Sequence, residues 1–171
     1  MKRVALLALL AACDQSAVVG STHAAQQTIG AQGGVLAAPA ADELAGTSLE
    51  LPAGAFSADE KLTLDTGVAT ISDPPPAGPA VNLIPFIPLQ RPAILTLPLR
   101  LMAGQSADDV FVIATDGAQH YAKFDHAALT VAGNQISFPI TQLATYWPAA
   151  VLRCADVCSN GWTCINHECH P

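Results

Sequence analysis

Prolines and glycines interrupt most of the chain, and this feature restricts its fold more than any other. The sequence holds 13 prolines and 12 glycines among 171 residues. A proline inside a helix removes a backbone hydrogen bond, and a glycine lowers helix propensity, so few windows are long enough for a stable helix. With 51% apolar residues the chain can still bury the core of one domain. We therefore expect an all-β fold.

The stretch from residue 33 to residue 55 predicts two strands joined by a turn. The doublet Gly33-Gly34 can adopt positive φ without steric cost, which suits a sharp entry into the first strand. Residues 48–51 read Ser-Leu-Glu-Leu, the alternation of a strand with one buried face. Pro52 has no N–H to donate, and the strand should end there.

Two further segments alternate in the same way, at residues 61–65 and 93–101. Pro98 lies within the second segment, which predicts a sheet edge or a bulge at that point. Between them, residues 72–88 contain three consecutive prolines. Such a run favours extended polyproline geometry, so we expect a crossover along the edge of the sheet.

Two hairpins are predicted in the second half of the chain. Residues 109–115 and 118–124 flank Asp116-Gly117, a dipeptide that fits the mirror-image two-residue turn between strands. Residues 129–131 and 135–138 flank a second short turn that contains a glycine. Several short strands at close spacing, without a convincing helix, predict an antiparallel β-sandwich.

The N-terminus predicts a secretory signal and a lipid anchor. Two basic residues precede a nine-residue apolar run at 4–12. This run is far shorter than a membrane span, which needs about 20 residues. The run ends in Leu-Ala-Ala-Cys, which resembles the bacterial lipobox. The resemblance implies that residues 1–12 are a cleaved signal peptide and that Cys13 carries acyl chains such as palmitate. The alternative is an ordinary signal cut after Ala12 that leaves an unmodified thiol.

Charge and composition describe the part that remains after cleavage. Without Lys2 and Arg3 the chain has five basic and fourteen acidic residues, a net charge near −9. Nucleic acid is therefore not an expected partner, because phosphate binding needs clustered Lys and Arg. Residues 13–27 are small and polar and predict a flexible tether, with His23 a solvated linker residue. The folded domain is expected at residues 28–150.

A family resemblance rests on three motifs. The glycine doublet is followed by Gly-Thr-Ser-Leu-Glu-Leu-Pro-Ala-Gly-Ala at residues 46–55 and by Lys-Leu-Thr-Leu at residues 61–64. Together they resemble the ZU-five domain, a family named for zonula occludens and uncoordinated-five proteins. The likeness covers residues 28–101 and is looser to residue 150. It implies a β-sandwich that mainly mediates protein contacts.

Bacterial lipoproteins with similar domains often close with a strand that contains His-Phe-Ser. In self-cleaving relatives this triplet supplies the base and the hydroxyl nucleophile that attack the peptide bond. This sequence has Gln142, Leu143 and Ala144 in those places, so neither group is present. Autoproteolysis is therefore predicted to be absent.

Four cysteines are concentrated in the tail at residues 151–171. An exported chain meets an oxidising compartment, so an even number of closely spaced cysteines predicts two disulfides. Three pairings are possible, and we favour the interleaved one as the more compact, with the first cysteine bound to the third and the second to the fourth. In chain order the cysteines are Cys154, Cys158, Cys164 and Cys169.

A zinc site is the alternative for the tail, with His167 and His170 as further ligands. Zinc knuckles usually place two residues between paired cysteines, and the gaps here are three, five and four residues. We therefore expect no metal in the tail and interpret Trp162 as its local packing centre.

The sequence shows no motif for catalysis. We interpret Asp108-Asp109 as solvated carboxylates and His120, Tyr121 and Lys123 as an exposed strand face. We therefore expect no catalytic residue and no cofactor. The favoured function is a non-enzymatic protein of the bacterial cell envelope that is anchored in the inner or outer membrane through Cys13. Its partner would be an envelope protein or a wall polymer. The alternative is a hydrolase or carbohydrate-binding protein whose site is assembled from loops.

Overall fold

A computed structural model describes residues 24–118, 120–152, 163–165 and 168–170. The predicted signal peptide and the lipidation site Cys13 lie outside these residues. So do Cys154, Cys158 and Trp162 of the tail. In the described part of the chain, no helix is long and apolar enough to cross a membrane.

β-Strands make up almost all the regular structure of the described residues, with one short 3-10 turn at His126–Ala128. The strands are β1 Ala25–Ile29, β2 Gly34–Ala37, β3 Ser48–Leu51, β4 Glu60–Thr66, β5 Val81–Ile84, β6 Pro88–Pro98, β7 Gln105–Thr115, β8 Tyr121–Phe124, β9 Thr130–Ala132, β10 Gln135–Gln142, β11 Thr145–Leu152, β12 Thr163–Ile165 and β13 Glu168–His170. The all-β prediction is confirmed.

Two antiparallel sheets form the body of the protein. The six-stranded sheet has the order β1-β4-β5-β11-β7-β8, and the five-stranded sheet has the order β2-β3-β6-β10-β9. Strands β12 and β13 pair with each other in a separate two-stranded sheet. β1 begins at Ala25, so Gln26 and Gln27 are paired with β4 and do not belong to the tether to which the sequence assigned them.

Alternate side chains of both sheets meet in one hydrophobic core, which makes the arrangement β-sandwich-like. Leu95 and Leu97 of β6 are fully buried in the same cluster as Leu64 of β4. Phe138 of β10 links the two layers directly. The centroid of its ring is 5.2 Å from that of Phe124 in β8 and 5.9 Å from that of Tyr146 in β11.

β11 is buried on both of its faces. Trp147, on the face turned away from the main core, packs with Ile113 of β7 in a second buried cluster. Partly buried Ala69 and Ile71, from the connection between β4 and β5, cover this cluster. The indole N–H of Trp147 has no hydrogen-bond partner among the described residues. The connection between β4 and β5 therefore covers the outer face of the six-stranded sheet and adds a third layer to the fold.

Two interpretations of prolines were wrong in their details. β6 is the middle strand of its sheet and not an edge strand, and Pro98 is its last residue, still paired with Gln135 of β10. The irregular register on β6 instead lies between Pro88 and Ala93. The segment 72–88 was expected to be an extended crossover along the sheet edge, but it bends at residues 73–74 and 77–78. It also includes β5, which lies inside the six-stranded sheet between β4 and β11.

The first predicted hairpin is present with a longer connection. Thr115 pairs with Tyr121, so five residues join β7 to β8 where the sequence predicted a two-residue turn. The carboxylate of Asp116 accepts a hydrogen bond from the Ala118 N–H at 2.9 Å and stabilises this wider loop. The two-residue turn occurs in the second hairpin, at Gly133-Asn134, where Gly133 has a φ of 58°.

Candidate functional site

A small open cleft lies between the β7–β8 hairpin and the connection from β10 to β11. Its volume is about 200 Å³. Polar groups from three parts of the chain converge on it, among them Asp116 and His120 of the hairpin and Gln142 at the end of β10. The residues that line it are Ala114, Thr115, Asp116, His120, Tyr121, Ala122, Phe124, Thr141, Gln142, Ala144 and Tyr146.

The most polar contact in the cleft joins Asp116 and His120. The His120 Nδ1 atom is 2.9 Å from Asp116 Oδ2, and the His120 side chain is 81% exposed. The hydrogen bond with His120, followed by that with the Ala118 N–H, lowers the pKa of the Asp116 carboxyl below its ordinary value. A general base needs a pKa close to the working pH, usually through burial. The contacts of Asp116 instead move its pKa further below neutral pH.

Tyr146 has a structural role in the cleft. The Tyr146 hydroxyl donates to the backbone carbonyl of Gln142 at 2.6 Å, and burial raises the pKa of this hydroxyl. Tyr146 therefore stays protonated at neutral pH. Leu143 and Ala144, which follow Gln142, are buried between β10 and β11. The absence of autoproteolysis stays a prediction, because it depends on these residue types and not on their placement.

The hairpin residues that the sequence singled out make separate contacts. The Tyr121 hydroxyl is 3.1 Å from Thr70 Oγ1, and Lys123 Nζ lies 4.6 Å from the centroid of the Phe111 ring. Lys123 Nζ also contacts Asp125 Oδ1 at 2.8 Å. Tyr121 and Lys123 are exposed on β8 as predicted, whereas His120, although exposed, lies in the connection before the strand. Sequence reasoning missed Asp116 as the partner of His120, because it assigned Asp116 to the turn alone.

The acidic pair lies inside β7, whereas the sequence predicted a strand that begins only at Asp109. Asp108 and Asp109 are both within β7, with Asp108 exposed and Asp109 half-buried. The Asp108 N–H donates to Ser106 Oγ at 3.3 Å. Across the described ranges, no three residues among His, Cys, Asp and Glu lie close enough together to hold a metal ion.

A second candidate is the outer face of the five-stranded sheet. Val35, Glu50, Ile94 and Pro139 are directly opposite one another on β2, β3, β6 and β10, and all four are exposed. Val35 is 54% exposed and Ile94 is 41% exposed. Together with Pro92, which is exposed on β6, we call this row the contact face.

The contact face has a shallow hollow at its centre. Its volume is about 340 Å³. The next row of the same face contains small side chains. In this row Thr96 Oγ1 is 2.8 Å from Ser137 Oγ. The hollow is lined by Gly34, Val35, Glu50, Leu51, Pro52, Pro92 and Ile94.

Comparison with known proteins adds no family assignment. No protein-family model matches the chain, and no curated protein sequence matches it. The lipobox and ZU-five resemblances therefore stay predictions.

Proposed function

We propose that the protein is a non-enzymatic, lipid-anchored component of the bacterial cell envelope that binds another protein through the contact face. The observation that carries the protein-binding part is the exposed row in which Val35 and Ile94 stand on either side of Glu50. Exposed apolar side chains grouped on one rigid surface are typical of binding sites. The ZU-five resemblance, which implies protein contacts, supports the same interpretation.

The chemistry of the row specifies the kind of partner. Neighbouring strands are about 4.8 Å apart, so Val35 and Ile94 present apolar groups about 10 Å apart with one carboxylate between them. A partner surface with two apolar side chains around one Lys or Arg would complement it. The cleft supports catalysis less well, because Asp116 lacks the raised pKa of a general base and the His120 side chain is largely solvated.

The anchoring part of the proposal rests on the sequence Leu-Ala-Ala-Cys at residues 10–13. Eleven residues separate Cys13 from β1, which begins at Ala25. A chain of this length spans at most about 40 Å. Acyl chains on Cys13 would therefore keep the contact face within reach of other proteins at the same membrane surface. Several acyl chains are needed for stable attachment, because one alone binds only marginally.

The variant Cys13→Ser should lose all acyl label. A serine hydroxyl cannot replace the thiol that takes the lipid, so labelling with an alkyne analogue of palmitate should fall to background. Intact mass of the wild-type protein should show a mature N-terminus at Cys13 that carries acyl chains. The neighbouring variant Asp14→Ser keeps the cysteine and should retain the label. A wild-type protein that begins at an unmodified Cys13 would refute the anchor.

A photocrosslinking residue at position 35 should capture a protein. The same residue at position 61, an exposed site on β4 of the other sheet, is the matched control and should give several-fold fewer adducts. Adding Ile94→Asp to the position-35 probe should lower capture at least about tenfold, because binding would bury residue 94 and a charge there would be desolvated without a partner. The thermal unfolding midpoint should change little, since Ile94 is on the exposed face.

Other outcomes of the crosslinking experiment decide against the contact face. Equal capture at positions 35 and 61 would show that this face has no special role. Adducts that contain only glycan would show that the partner is a wall polymer and not a protein. Insensitivity to Ile94→Asp would show that capture does not depend on the row.

A further inference from the structure

The backbone register of the tail brings two of its cysteines to the same level of a hairpin. β12 pairs antiparallel with β13, and Cys164 is directly opposite Cys169. Ile165 and Glu168 form the pair next to the two-residue connection. The two cysteines therefore occupy one cross-strand position, one residue pair further from that connection.

This position satisfies the backbone requirement of a disulfide bond. Residues directly opposite each other in an antiparallel pair have Cα atoms about 4.5 Å or 5.5 Å apart, depending on the hydrogen-bonding class of the position. A disulfide needs a Cα separation of about 4.4–6.8 Å. Both classes fall within that range, so the Cα separation at this position is compatible with a disulfide.

The hairpin also lacks the support that strands usually obtain from neighbours. Among the described residues, the sheet that contains β12 and β13 has only these two strands. A two-stranded hairpin is marginally stable in water by itself. A covalent bond between its strands would restrict the unfolded chain and so favour the paired conformation.

We propose that Cys164 and Cys169 form a disulfide across the hairpin, which leaves Cys154 and Cys158 as the second pair. This local pairing replaces the interleaved pairing that the spacing alone favoured. The inference rests on the proposed function in one respect, because the bonds need the oxidising compartment of an exported protein.

Formation of the bond is a two-electron oxidation by thiol–disulfide exchange. The thiolate of one cysteine attacks the disulfide of an oxidising protein and forms a mixed disulfide. The thiolate of the opposite cysteine then attacks the sulfur of its cross-strand neighbour. The new disulfide forms, the oxidant leaves as a dithiol with both electrons, and the two protons of the original thiols are released to it or to water.

Proteolysis without reduction distinguishes the pairings. The full-length protein is isolated from the cell envelope, its free thiols are alkylated in urea, and chymotrypsin cleaves after Trp162, between the second and third cysteines. Local pairing predicts that the two halves of the tail separate without reductant. Both interleaved and nested pairings predict that the halves stay joined. Further cleavage after Glu168 should leave Thr163–Glu168 linked to Cys169–Pro171 until a reductant is added.

Single variants provide a second readout on the intact chain. Cys164→Ser should leave Cys169 as the thiol that accepts alkylation, and Cys158→Ser should leave Cys154. Alkylation of Cys169 in the Cys158→Ser variant would overturn the proposal in favour of the interleaved pairing. Four alkylated cysteines in the wild-type protein would overturn it as well. The N-terminal mass of the same sample tests export separately, so either proposal can fail while the other holds.

Discussion

Phe138→Ala is expected to lower the free energy of unfolding by about 3–5 kcal/mol. Phe138 is 1% exposed and is the aromatic ring through which the five-stranded sheet contacts Phe124 and Tyr146 of the other sheet. Truncation removes its buried surface and leaves a cavity between two sheets whose backbones are fixed by hydrogen bonds, so the gap cannot close easily. Urea titration followed by circular dichroism measures the loss as a lower midpoint with an unchanged slope.

The neighbouring residue supplies the matched control. Ser137 precedes Phe138 on β10, but it belongs to the outer face, where its hydroxyl is 2.8 Å from that of Thr96. Ser137→Ala removes one partly exposed hydrogen bond and should cost about 1 kcal/mol. Similar losses for the two variants would contradict a core enclosed between the sheets.

Gly33→Ala should destabilise the protein by about 3 kcal/mol or more. Gly33 has a φ of 74°, and its N–H donates to the Gly30 carbonyl at 3.0 Å in the turn between β1 and β2. A Cβ atom at this position would lie 2.3 Å from the carbonyl oxygen of Leu51. The left-handed conformation costs an alanine about 1–2 kcal/mol, and the clash with backbone adds to that cost. Thermal or chemical unfolding of the purified domain measures the loss.

Gly133→Ala separates the cost of the left-handed conformation from the cost of the clash with the backbone. Gly133 also has positive φ, at 58°, but among the described residues no atom beyond Gly133 and its two chain neighbours lies within 4 Å of the place where its Cβ would be. This variant should therefore lose only the conformational part, about 1–2 kcal/mol. If both variants lose the same stability, the close approach of Leu51 does not restrict position 33.

The sequence predicted the strands because their signal is local. Ser-Leu-Glu-Leu at residues 48–51 alternates with the period of a pleated strand, and the structure has β3 over those residues. Sheet position was not predicted, because it depends on partners that are distant in the chain. β5, for example, lies between β4 and β11, and Val81 pairs with Tyr146, 65 residues away. No short window of sequence contains that information.

The same limit applies to the candidate sites. His120 was recognised as exposed, but its contact with Asp116 depends on a five-residue loop where the dipeptide suggested a tight turn. The contact face could not be predicted either. Val35, Glu50 and Ile94 are far apart in the chain and become neighbours only through the register of three strands. Their residue types are ordinary for strands, and each one alone carries no functional signal.

The different positions of the first and last strands of the body determine how it would respond to mechanical load. β1, the strand closest to the proposed anchor, is an edge strand, and within the described part of the chain it pairs with β4 alone, over five residues. β11, which precedes the tail, is paired on both sides and covered on both faces. A force pulling the anchor away from a bound partner would therefore detach β1 first. The released residues would lengthen the tether between the anchor and the domain, while most of the remaining core stayed folded.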